Sequence, residues 1–96
     1  MPYTLSILKV EDYARWKSDW DSEDSIVMRK GGGQGSFQIF HTEDDPNNLV
    51  LLIEMDNLDN ARKFVQSKEL REAMQRSGVI GQGDHYFLKE VEKGTL

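Results

Sequence analysis

Leu49 to Met55 reads LVLLIEM and is apolar at six of its seven positions. A strand with one wet face alternates apolar with polar residues, so an almost unbroken apolar run bounded by Asp56 and Asn57 describes a strand buried on both faces. The run is too short for a helix of ordinary length. Something must therefore cover each side of it, and the rest of the chain has to supply that cover.

Immediately upstream, Glu43 to Asn48 reads EDDPNN, dense in turn formers. Before it, Phe37, Ile39 and His41 alternate with Ser36, Gln38 and Thr42, which predicts a strand and makes the pair a hairpin. Gly31 to Gly35, GGGQG, gives the backbone freedom ahead of that strand. It lacks the Gly-Lys-Ser/Thr ending of a phosphate cradle and precedes a strand instead of a helix, so it reads as a connection. At the start, Tyr3 to Val10 carries Leu5 and Ile7 on one face and Leu8 and Val10 on the other, which predicts a second two-sided, central strand.

From Glu11 the spacing becomes helical, with Tyr13, Trp16, Trp20 and Val27 on one stripe. The signal fades over Asp21 to Ser25, a bend or turn, and the helix ends by Gly31 with Arg29 and Lys30 at its negative end. Downstream of the apolar run, Asp56 or Asn57 caps a helix whose inner face is Leu58, Ala61, Phe64 and Val65. Ser67 caps a shorter one carrying Leu70, Ala73 and Met74, closed by Gly78. Tyr86, Phe87, Leu88 and Val91 predict a last strand, and Lys93 to Leu96 a frayed tail.

The order strand, helix, strand, strand, helix, strand is the ferredoxin-like α+β arrangement, βαββαβ, with both helices on one face of an antiparallel sheet. The other face is bare in a single copy. With strands that are apolar on both sides, that is more contiguous apolar surface than a soluble monomer tolerates, and a second copy packed sheet to sheet is the simplest cover. A homodimer through the sheet face is therefore expected.

Composition narrows the partners. The 96 residues fit one domain with one core. Acidic residues exceed basic ones, 17 against 12, and the basic ones form no stripe, so neither nucleic acid nor an anionic membrane surface is an expected partner. There is no cysteine, hence no disulfide framework, thiol nucleophile or cysteine-based metal site. No run is long enough to span a bilayer and the opening MPYTLSILKV does not read as a signal peptide, so a cytoplasmic protein is expected.

Three stretches together carry a resemblance. DYARWK at the start of the first helix, EDDPNN before LVLLIEM, and FVQSKELREAMQRSGVIG followed by YFLKEVE resemble small stand-alone members of the dimeric α/β-barrel superfamily, the group that includes the antibiotic-biosynthesis monooxygenases. The resemblance covers nearly the whole chain and implies that fold and a homodimer. Superfamily members span cofactor-free monooxygenases, haem-degrading enzymes, isomerases and proteins without known activity, and the fold does not choose among them. The haem-degrading pattern needs a histidine on the second helix, and Leu58 to Ser67 contain none.

Among side chains that could carry chemistry, Tyr13, Trp16 and Trp20 come first. They either line a pocket between the first helix and the sheet, sandwiching a flat guest, or are the packed face of an amphipathic helix. His41 shares the parity of Phe37 and Ile39 and is the candidate base; His85 opens the last strand, and each has an ordinary reading as a strand-end histidine. Glu54, the one charge in LVLLIEM, is a base, an ion-pair partner, or a wet strand end. No spacing of histidines and carboxylates suits a metal and no cofactor motif is present. The leading expectation is a protein that binds a small, flat, mostly apolar molecule between sheet and first helix, as a cofactor-independent monooxygenase would. The alternatives are a non-catalytic ligand-binding or assembly protein, or an isomerase using His41 or Glu54 for proton transfer.

Overall fold

The computed structural model describes residues 2–96. In chain order its elements are β1 (Pro2–Val10), α1 (Tyr13–Trp20), α2 (Glu23–Gly31), β2 (Gln34–Thr42), β3 (Asp45–Met55), α3 (Leu58–Val65), α4 (Lys68–Ser77) and β4 (Val79–Lys89). The strands make one antiparallel sheet in the order β2-β3-β1-β4. This is the ferredoxin-like α+β topology, with each helical segment divided into two short helices.

The two central strands are β1 and β3, as their two-faced sequences require. Thr4, Ser6, Leu8 and Val10 of β1 and Leu49, Leu51, Ile53 and Met55 of β3 are buried on one side of the sheet. They form the core with Trp16, Trp20 and Ala61 from the helices. On the opposite side, cross-strand partners fall into rows. Tyr86, Leu5, Leu52 and Gln38 make one row; Asp84, Ile7, Val50 and Phe40 make the next. Phe40 and Tyr86 are half exposed there.

Several boundaries differ from expectation, each for a local reason. EDDPNN is not all turn: β3 starts at Asp45, and Asp45 Oδ1 accepts from the Asn47 amide at 2.9 Å. Asn47 Oδ1 in turn accepts from the Tyr13 amide at 2.9 Å, tying the hairpin to the start of α1. The long first helix is two helices. Asp21 closes α1, and Ser22 caps α2 by accepting from the Ser25 amide while its hydroxyl donates to the Asp19 carbonyl at 2.6 Å.

A new helix has a new phase, so the step of seven from Trp20 to Val27 no longer marks one face. Val27 is 63% exposed, and Ser25 and Arg29 are the buried positions of α2. At the other end, Gly78 closes α4 in the left-handed conformation, φ 86°, that a side chain disfavours. β4 follows at once from Val79, well before the expected Tyr86, and Val91 lies beyond its end.

Candidate functional site

The aromatic stripe survives the break. Trp16 and Trp20 are stacked, ring centroids 5.1 Å apart at 24°, with Tyr13 tilted 6.1 Å from Trp16. Phe37 meets Trp20 edge-on at 5.2 Å. Both tryptophans are buried, Trp16 at 3% and Trp20 at 9% exposure. They help line a mostly apolar cavity of about 60 Å³ between sheet and helices, together with Leu8, Leu51, Ile53, Phe64 and Met74. Tyr13 packs against the core but does not line that cavity.

The polar groups at its edge matter for chemistry. Trp20 Nε1 is fully shielded and has no partner, the one such side-chain nitrogen or oxygen among the described residues. Arg29 lies over the Trp20 ring, its guanidinium carbon 3.6 Å from the centroid. Its Nη2 donates to the Trp20 carbonyl at 2.8 Å and its Nε to the Ser25 carbonyl at 3.3 Å. Burial pushes the Arg29 guanidinium below its ordinary value, against the opposing pull of Asp21 and Asp19. Asp19, also on the wall, is occupied by Arg76, whose Nε lies 2.7 Å from Asp19 Oδ1 and joins α1 to α4. That carboxylate holds the Arg76 guanidinium above its ordinary value.

His41 has the helix-side parity expected of it, opposite Leu49, yet it stands exposed near the end of edge strand β2. Its Nδ1 lies 2.8 Å from the Thr42 carbonyl, and it is not among the residues lining the cavity. The histidine on the wall is His85. Its Nδ1 sits 2.7 Å from Ser6 Oγ, its direct cross-strand neighbour, and its Nε2 is 3.2 Å from the Gln82 carbonyl. With the neutral ring, Nε2–H donates to that carbonyl and the Ser6 hydroxyl donates to Nδ1.

An irregularity in β4 puts His85 there. The pairing with β1 shifts between Ile7 and Lys9, and Gly81 and Gly83 both take positive φ, 74° and 69°. A Cβ on Gly83 would meet Leu8 Cδ2 at 2.5 Å and the Ile7 carbonyl at 3.1 Å, so the strand can make this close approach only as glycine. The Gly-Gln-Gly before Asp84 is the sequence signal for this bulge, and the parity of His85 follows only from a strand that starts at Val79.

Glu54 faces the other side of the sheet, half-buried, accepting from the Tyr3 hydroxyl at 3.5 Å. Desolvation first, then Glu90 and Glu54, hold the Tyr3 phenol above its ordinary value. His41 and Glu54 thus lie on opposite faces of the sheet, and one chain does not bring them together. Among the described residues no cluster of histidines and carboxylates has the arrangement of a metal site, and no helix is long and apolar enough to cross a membrane.

No sequence-family profile and no curated protein matches the chain. Solved structures do match it, over nearly its full length. A Bordetella bronchiseptica protein provisionally classed as an antibiotic biosynthesis monooxygenase superposes with a TM-score of 0.74 at 12% identity, covering 95% of this chain and 97% of that one. SnoaB from Streptomyces nogalater, a cofactor-independent oxygenase, gives 0.71 at 11% identity, with 96% and 94% covered. An antibiotic biosynthesis monooxygenase gives 0.67 at 11% identity, with 96% and 100% covered. The chain thus has the fold of these antibiotic biosynthesis monooxygenase-like proteins.

Proposed function

We propose that the protein binds a small, flat, oxygen-bearing organic molecule between the sheet and α1, and oxidises it with dioxygen without a cofactor. The observation that carries this reading is the unpartnered Trp20 Nε1. A buried indole N–H without an acceptor costs on the order of 1–3 kcal/mol, and a carbonyl or phenolic oxygen of a guest would supply the missing acceptor. The kinship in fold with a cofactor-independent oxygenase supports the reaction class. In that chemistry a CH2 carbon of the substrate loses a proton, the resulting anion adds dioxygen, the proton returns to give a hydroperoxide, and cleavage of its O–O bond with loss of the carbon's second hydrogen releases water and leaves a carbonyl. The protein's part is to bind, to take the proton and to exclude water. Trp16 and Trp20 are the ring surfaces and Tyr13 supports them from behind. His85 takes the role of base in its other tautomer, in which Nδ1–H donates to Ser6 Oγ and Nε2, turned from the Gln82 carbonyl, has the lone pair that accepts the substrate proton. His41, the base expected from sequence parity, has no such place because it stands in solvent.

The cavity of about 60 Å³ is far below the roughly 300 Å³ at which drug-sized sites begin, so admission requires the wall to part. A surface depression of about 240 Å³ lies just beyond Trp20, Arg29 and Gln34, which border both spaces. Parting there would join them. The functional unit is taken to be a cytoplasmic homodimer in which the sheet rows around Leu5 and Leu52 face each other.

The test is incubation of the purified protein with a panel of hydroxylated polycyclic aromatics, following oxygen consumption and tryptophan quenching. Turnover lost in Trp20→Phe and His85→Gln but kept in His41→Gln is the expected pattern; neither quenching nor turnover with any compound refutes the proposal. The burial of both tryptophans in the core favours a second reading, in which the stripe is only packing. There Trp16→Phe and Trp20→Phe lower the melting temperature and change no binding.

A further inference from the structure

Arg29 is 8% exposed, and burying a guanidinium is costly unless a carboxylate answers it. Here none does within ion-pair distance among the described residues. Asp19 is held by Arg76 and Asp21 by Lys17. What Arg29 has instead is the face of Trp20 and two backbone carbonyls, Trp20 and Ser25. A guanidinium carries five N–H donors, and two are engaged. Those left are both on Nη1 and the second on Nη2, the pair that makes an end-on fork to a carboxylate. Since Trp20 Nε1 is the one fully shielded side-chain polar atom without a partner among the described residues, the unpartnered Nη1 is not fully shielded.

The position of this fork is also informative. Arg29 borders both the inner cavity and the outer depression, whose other walls include Trp20, Phe37 and Lys30. Its guanidinium carbon is 5.5 Å from the Phe37 ring centroid. A flat acid seated in the outer depression, with the edge contact between Phe37 and Trp20 opened to admit it, meets aromatic surface along its ring and a cation at its acidic end. The unpartnered Trp20 N–H stands on the same residue as the cation's stacking face.

Resting on the binding reading above, we infer that the guest is a planar aromatic acid, and that Arg29 selects it by pairing with its carboxylate. Arg29 is then a specificity residue of the site and not only a brace between α1 and α2.

Calorimetric titration with 2-naphthoate and its neutral isostere 2-naphthamide tests this. The expected result is that naphthoate binds about tenfold tighter or more, the gain of one charge-assisted pair, and that added salt narrows the gap. Arg29→Gln should bring the two affinities together while naphthamide still binds. Arg29→Lys should restore part of the preference, because charge returns without the fork. Equal affinities in the unaltered protein overturn the selection of acids and leave the binding site standing. Binding of neither compound overturns both. Should Arg29→Gln fail to fold, the preference and its salt dependence in the unaltered protein still decide.

Discussion

Leu51 and Leu52 are neighbours in sequence and point to opposite sides of the sheet, so one substitution made at each position has opposite outcomes. Leu51 is 3% exposed beneath the helices. Lysine there loses about 1.5–3 kcal/mol of apolar burial and leaves an unpaired charge inside, another 3–5 kcal/mol or so. The sum, about 5–8 kcal/mol, is comparable to the whole stability of a small domain, so Leu51→Lys should unfold the chain. Leu52 lies on the uncovered side between Leu5 and Gln38, where a single copy accepts a lysine at little cost. In a sheet-to-sheet dimer the same charge is introduced twice by symmetry, removing about 6–10 kcal/mol from association. A dimer of micromolar affinity has only about 8 kcal/mol to lose. Leu52→Lys should therefore keep a native circular dichroism spectrum and sediment as a monomer of 11.1 kDa, while the parent sediments at twice that mass. A folded Leu52→Lys protein that remains dimeric refutes the sheet-face pairing, and a folded Leu51→Lys refutes the assignment of faces.

Other outcomes follow from single contacts. Gly83→Ala should cost about 2–4 kcal/mol in chemical denaturation, because the alanine would hold an unfavourable positive φ and press on the Ile7 carbonyl, which is backbone and cannot turn aside. Trp16→Ala should cost about 3–5 kcal/mol by the same measurement, the usual range for emptying a buried aromatic position. Ser67→Ala removes the cap that accepts from the Leu70 amide at 3.2 Å and should lower stability by about 1 kcal/mol. The hydrogen bond from Lys9 holds the Asp45 carboxyl below its ordinary value, so its stabilisation is present above that value and disappears as acid protonates the folded form. The melting temperatures of parent and Asp45→Asn should converge on acidification and in high salt; a gap that persists in acid excludes this pairing as its source.

Much of the fold is legible in the sequence. The double-sided strands β1 and β3, the caps at Asn57 and Ser67 and the glycine stop at Gly78 all depend on neighbours a few residues away, and local spacing reports them. What it missed depends on distant partners. Asp45 to Asn48 looks like a turn, yet Asn47 is spent on the Tyr13 amide and its backbone continues the ladder. Arg29 looks like a surface residue at a helix end, and only the cap at Ser22 turns it inward. The candidate site divides the same way. Trp16 and Trp20 follow from helical period, whereas the exchange of His41 for His85 rests on the exposure of His41 near the end of an edge strand and on a shift in the β1–β4 ladder.

The irregular segment at Gly81 to Gly83 also bears on how copies of the protein avoid sticking together. β4 is a margin of the sheet, and a kinked margin offers a poor template for an incoming strand. The opposite margin, β2, pairs in regular register from Phe37 to His41, carries no lysine, arginine, aspartate or glutamate from Gln34 to Thr42, and displays Phe37 and Phe40. Under heat or crowding, fibrous growth should begin along β2, and a lysine at Gln38 is the substitution expected to delay it.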